Sequence, residues 1–177
     1  MASVEVFVDE SCQKGYVLCA AVVATGDLAA ARRAMRALKP KNRDRLHMHA
    51  ESRNREQIIS EFIRLGIISE AHLFISPIRG RKQRLVRDAC LRELAVESAE
   101  MGATRILVES CSQNKQDHAA LTGALAGVGA LDRVSVAIDT PTSHELLWAA
   151  DLVAWAYCAG GRARQMVMGI VKIHEVA

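Results

Sequence analysis

The chain reads as an α/β protein organised on one mixed sheet, and three observations predict it. A pair of apolar extended segments opens the sequence, and from there helical and extended periodicities alternate as far as residue 158. Three of the extended segments end in a carboxylate: Asp9, Glu109 and Asp139. At 177 residues the simplest organisation is one domain over the whole chain, with no internal repeat, linker or low-complexity tract.

Val4–Ser11 (VEVFVDES) has the period-2 alternation of a two-faced strand, with β-branched valines that favour it. Asp9 shares a face with Phe7 and Glu5, whereas Glu10 shares one with the valines. A short loop around Gly15 leads into Tyr16–Ala24, continuously apolar and so expected inside the sheet. Leu28–Leu38 is an amphipathic helix stopped by Pro40, and 41–45 is a basic loop. In LHMHAES (46–52), His47, His49 and Glu51 share a face if the segment is extended and fan apart if it is helical. Asn54 is placed to cap a helix over Arg55–Leu65 that Gly66 ends.

A strand is expected around 72–78, then the longest helix over 81–101, with Leu85, Ala89, Leu91, Leu94, Ala95 and Val96 at helical spacing. As a crossover it should join parallel neighbours. RILVE (105–109) is the fourth strand, 110–117 a polar loop, 119–125 a small-residue helix and VSVAID (134–139) the fifth strand. Thr142 and Glu145 form the T-x-x-E pattern of a helix start, and the helix itself covers 145–158. The tail, 162–177, fits helix and strand equally.

Composition narrows the function classes. Half the residues are apolar and 24% are charged, as in an ordinary soluble protein, and no apolar run spans a bilayer. The five scattered cysteines form no metal-type spacing, so reduced thiols in a cytoplasm are expected, and no signal peptide is visible. Few aromatics argue against a single-strand stacking platform. The net charge is only +3, but basic residues crowd 32–36, 39–45 and 79–87, a distribution suited to a polyanion.

Asp151 is the most informative single residue. It is the one charge between Glu145 and Gly160, flanked by Trp148, Ala149, Ala150, Leu152, Val153 and Trp155. A carboxylate on so apolar a helix must be paired, hydrogen-bonded or metal-bound. If three of Asp9, Glu109, Asp139 and Asp151 converge without a cation, each like-charge pair within ~4 Å costs roughly 4 kcal/mol at an effective dielectric of 20. Hard oxygen donors in such a cluster suit Mg²⁺ or Mn²⁺, and two such ions serve in-line phosphoryl displacement.

VFVDES with its apolar second strand, LHMHAES, the acid-ended RILVES and SHELLWAADLVAWA resemble, in that order, the bacterial "domain of unknown function 3800" family, a branch of the ribonuclease H-like superfamily. The resemblance covers roughly residues 4–158. It implies a ribonuclease H-like five-stranded sheet, antiparallel in its first three strands and parallel thereafter. It also implies catalysis by carboxylates that fall here at Asp9, Glu51, Glu109 and Asp151, with His49 and His144 as auxiliary candidates. Glu10 and Asp139 would support the site. Two positions depart from the pattern: Cys12 stands where a glycine is expected, and Glu109 where aspartate is commoner.

The expected activity is therefore a Mg²⁺- or Mn²⁺-dependent nuclease acting on RNA, DNA or a hybrid. Lys41, Arg43, Arg45, Arg79, Arg81, Lys82 and Arg84 would be its nucleic-acid contacts. The competing expectation is a degenerate module of the same fold that binds nucleic acid or a protein. A small-molecule phosphotransferase ranks third, because no Gly-rich phosphate loop of the usual spacing is present. The apolar last helix and Met166 and Met168 either cover a homodimer interface or close the core.

Overall fold

Alternation of side chains along strands, with apolar residues on both faces, produces a sheet covered by helices on each side. The computed structural model describes residues 2–11 and 15–177. Its strands are β1 (Val4–Ser11), β2 (Tyr16–Ala24), β3 (Glu70–Ser76), β4 (Ala103–Glu109), β5 (Ser135–Asp139) and β6 (Val171–Glu175). They lie in the order β5-β4-β1-β2-β3-β6. β2 runs antiparallel to β1 and β3, whereas β4 is parallel to β1, β5 to β4 and β6 to β3. The first three strands are thus antiparallel and β4 and β5 parallel, an arrangement compatible with a ribonuclease H-like fold.

The helices are α1 (Leu28–Leu38), α2 (Arg55–Leu65), α3 (Gln83–Glu100), α4 (Asn114–Gly127), α5 (Glu145–Ala159) and α6 (Gly161–Val167). Phe7, Cys19, Ala21, Leu73 and Leu107 face the core formed with α1, α2, α5 and α6. Val6, Val8, Leu18, Phe74 and Ile106 face the other core, formed with α3 and α4. No described helix is long and apolar enough to cross a membrane.

Several sequence expectations need correcting. The sheet has six strands rather than five, because part of the tail adds β6 at the edge beside β3. α3 links parallel strands that are not neighbours: β1 and β2 lie between β3 and β4, and it is α4 that joins parallel neighbours. α4 starts five residues earlier than expected, since the second half of the supposed polar loop is helical around a fully buried Asp117. Leu85 points to solvent, 60% exposed, because the apolar stripe of α3 begins at Val86.

Two expected caps are absent. Asn54 has left-handed backbone (φ 59°) instead of the extended one of a capping residue and makes no side-chain bond to the helix amides, while its carbonyl accepts from Ile58 at 2.9 Å. Thr142 sits in a 3-10 turn, Pro141–Ser143, and Glu145 reaches across to Arg36 at 2.7 Å rather than back along its own helix. Gly66 ends α2 in the left-handed conformation as expected. Cys12 lies outside the described residues. Met166 packs against the core, and Met168 is exposed.

Candidate functional site

Parallel strands put their C-terminal ends at one edge of the sheet. The β1–β4 register pairs Phe7 with Leu107 and Val8 with Val108, and the β4–β5 register pairs Glu109 with Asp139. Asp9, Glu109 and Asp139 therefore follow one another across three adjacent strand ends. All three lie on the face that carries Phe7, Leu107 and Ala137, the face against which α5 packs. α5 is buried nearly all round, so Asp151 is held on a rigid element with its side chain 16% exposed.

Asp9 and Glu109 have their carboxyls within hydrogen-bond reach of each other, and Asp151 is near enough to act on Asp9 electrostatically. The Asp9 carboxyl is raised well above its usual range, first by burial, then by contact with Glu109 and by the charges of Glu109 and Asp151. The Glu10 amide, donating to Asp9 Oδ1 at 2.7 Å, opposes this only partly. Two ionised carboxylates in contact offer only acceptors, so such a pair holds a proton or a cation between them.

LHMHAES supplies the rest of the site by turning rather than staying extended. His47 is extended, Met48–Ala50 forms a 3-10 turn, and Glu51 is extended again. Leu46 and Met48 are buried and anchor the segment. Arg55 bonds the carbonyls of Met48 (3.2 Å) and His49 (3.1 Å) while lying over the Trp155 ring. Through this turn the Met48 amide donates to Asp151 Oδ2 at 2.8 Å, and His47 Nδ1 lies 3.4 Å from Asp151 Oδ1. Hydrogen bonding to Asp151 raises the His47 imidazole above its ordinary value against partial burial. His47, not His49, is thus the histidine at Asp151; His49 is turned outward, its ring centroid 6.2 Å from that of His47.

The basic loop lies over these acids. Arg45 Nη1 is 3.2 Å from Glu109 Oε1, and Arg43 Nε is 3.3 Å from Glu51 Oε1. The second pair is misaligned, leaving Glu51 Oε1 buried without a hydrogen bond. Asn42, Arg43, Asp44, Arg45, His47 and Ala50 line a cleft of about 520 Å³ beside the carboxylates.

Other predicted residues are placed elsewhere. His144 bonds Asp139 Oδ2 at 2.8 Å, so this exposed pair stands beside the acids instead of projecting with Asp151. That bond, with the Thr140 amide, holds Asp139 below its usual range. Glu10 faces the opposite side of the sheet and meets Arg87 at 2.6 Å. Arg84 is engaged by Asp88, Asp117 and Gln113, and Arg81 by Ser76 and the Pro77 carbonyl. Lys41, Arg79 and Lys82 are exposed.

The oxygen donors of Asp9, Glu109 and Asp151, with Glu51, which follows the turn that holds Asp151 and has Arg43 as its ionic partner, are the residues suited to a hard cation. The three carboxylates do not close to within 4.8 Å of one another. Among the described residues, the trio that does is His72, Glu97 and His174, on the other face of the sheet. Nothing in the sequence reading singled out that trio, because its members lie on three separate elements. No family model matches the chain, and no curated protein matches it either.

Proposed function

We propose that the protein is a divalent-metal-dependent nuclease that hydrolyses phosphodiester bonds at the Asp9–Glu109–Asp151 edge. The observation that carries this reading is the contact of Asp9 with Glu109, within electrostatic range of Asp151, on rigid elements under a basic loop. Such a contact is costly unless a proton or cation sits in it. The donor set fits Mg²⁺ or Mn²⁺: all ligands are carboxylates, and Glu51 Oε1 is a buried oxygen with no hydrogen bond.

Asp9, Glu109, Asp151 and Glu51 would hold the ions, which when bound supply water activation and charge stabilisation in phosphoryl displacement. Lys41, Arg43 and Arg45 would bind flanking phosphates, and withdrawal of Arg45 and Arg43 to the substrate would release Glu109 and Glu51. Asp151 engages His47 at Nδ1 and raises its imidazole, which would leave Nε2 as the nitrogen that donates to a leaving oxygen.

Cleavage of labelled RNA, DNA and hybrid in Mn²⁺, Mg²⁺ or chelator tests this, beside Asp9→Asn and Asp151→Asn. Metal-dependent cleavage lost in both variants, with folding intact, is the expected result. Full activity in both variants would reject the site.

One observation favours a second reading, a non-catalytic binding module. Arg45 and Arg43 already lie against Glu109 and Glu51, so those acids are compensated without a cation. That module would bind nucleic acid with Mg²⁺-independent affinity and keep it in both acid variants.

A further inference from the structure

On the α3 side of the sheet, β3 and β6 run parallel in a register that sets His72 opposite Lys172 and Phe74 opposite His174. His72 and His174 thus stand diagonally on one face, and α3 brings Glu97 to them. His72 is 2% exposed, an imidazole buried between the sheet and α3. His174 occupies a half-buried position on an edge strand whose Lys172 and Ile173 are exposed, stacked on Phe74 with ring centroids 4.6 Å apart.

We infer that His72, Glu97 and His174 form a Zn²⁺-binding site, separate from the carboxylate edge. One nitrogen from each imidazole and one Glu97 oxygen lie within 4.8 Å of one another. His72 Nδ1 and His174 Nε2 are already 2.8 Å apart. Zn–N and Zn–O bonds of about 2.0–2.2 Å place tetrahedral ligands roughly 3.3 Å from each other, so the histidines need only small movements and Glu97 a side-chain adjustment.

The surrounding groups prepare His72 for this role. Its Nε2 lies 3.1 Å from Glu70 Oε1, and Glu70 Oε2 accepts from Lys172 Nζ at 2.8 Å. An ionised Glu70 only accepts, so Nε2 carries the proton and Nδ1 turns its lone pair toward His174. A carboxylate behind a ligating imidazole is the usual outer partner of a metal-bound histidine, fixing tautomer and ring orientation. With zinc bound, His174 would present Nε2 bare and carry its proton on Nδ1, so both histidines stay neutral.

Two imidazoles and one carboxylate favour zinc over Mg²⁺ or Ca²⁺, which take oxygen ligands. Three protein ligands leave a fourth position for water. The ion would also fasten the short strand β6 to α3, and both ligand-bearing elements of the tail and the helix would gain stability when it binds.

The test is calorimetric titration of metal-stripped protein with Zn²⁺ in the presence of excess Mg²⁺, with thermal unfolding read alongside. Wild type should bind one equivalent and unfold at a higher temperature. His174→Gln and Glu97→Gln, both at partly exposed positions, should each weaken binding by at least about tenfold, and Glu70→Gln by about tenfold. Asp9→Asn and Asp151→Asn should bind zinc as wild type does. Absence of zinc binding in wild type would overturn the site, as would unchanged binding in both His174→Gln and Glu97→Gln. Loss of zinc binding in Asp151→Asn with retention in His174→Gln would place the ion at the carboxylate edge instead.

Discussion

Asp9 shows how one residue links the fold to the proposed chemistry. Its carboxyl is raised by burial and by Glu109, so between the ordinary carboxyl value and its native value the folded protein binds the extra proton. Stability of the metal-free protein must therefore fall as pH rises through that window, by up to 1.36 kcal/mol for each unit the pKa is raised. Asp9→Asn removes this ionisation and gives Glu109 an amide donor. In chelator at neutral pH the variant should unfold at a higher temperature than wild type, by about 2–4 °C per kcal/mol for a chain of this size. Adding Mg²⁺ should raise the wild-type midpoint and leave the variant's unchanged. A variant less stable than wild type in chelator would mean that the Asp9–Glu109 contact is not a strained acid pair. Asp151 was legible in the sequence as the one charge on an apolar helix, and Asp9 as one of several acids that end strands. The role of His47 over His49 was not, because the 3-10 turn at Met48–Ala50 decides it and H-x-H spacing does not reveal a turn.

At the level of elements, α3 and α4 are clamped by a buried ionic network. Arg87 donates to Asp117 at 2.9 and 2.8 Å, to Glu10 at 2.6 Å and to the Tyr16 hydroxyl at 2.9 Å, and Arg84 reaches Asp117 at 3.1 Å. Asp117→Ala leaves the buried guanidinium without its bidentate partner and should cost about 3–5 kcal/mol, measured by denaturant unfolding. Combining it with Arg87→Met should recover much of that loss, whereas an additive loss would show that the ionic contact is not what is being removed. Burial alone would raise the Asp117 carboxyl, but hydrogen bonding and charge from Arg87 and Arg84 prevail and hold it below its ordinary value. Its contribution is thus complete above the ordinary carboxyl range and disappears as pH falls through the lower native value. Wild type should lose more stability than Asp117→Ala as pH falls below about 4. This clamp was hidden in the sequence because its members look like surface. Arg87 ends a basic run, Asp117 sits in a polar stretch, and only the docking of α3 against α4 buries them together.

Across the whole molecule, strand pairing decides which charges can serve one site. Five of the six strands could be read from apolar alternation or continuous apolar runs; β6 (VKIHE) could not, because an edge strand with exposed Lys172, Ile173 and Glu175 has no clean buried face. The crossover of α3 was misplaced for a related reason: periodicity identifies an element but does not say which strand lies beside it. The same topology divides the basic residues that the sequence grouped together. Arg43 and Arg45 lie over the acid-ended strands, whereas Arg81 and Arg84 are bonded to the protein around α3. If the acid edge receives a polyanion, its electrostatics should come mainly from 41–45. Replacing Lys41, Arg43 and Arg45 by alanine should weaken nucleic-acid binding and flatten its salt dependence, by roughly 0.9 in the logarithmic slope for each lost duplex-DNA phosphate contact. Arg84→Ala should instead lower the unfolding midpoint and leave the salt slope unchanged, since its guanidinium is held by Asp88, Asp117 and Gln113. Filter binding over a salt series, in parallel with thermal unfolding, separates the two effects. A slope that falls with Arg84 and not with the 41–45 residues would put the nucleic acid on the α3–α4 side, away from Asp9 and Asp151, and the nuclease reading would then lose its substrate path.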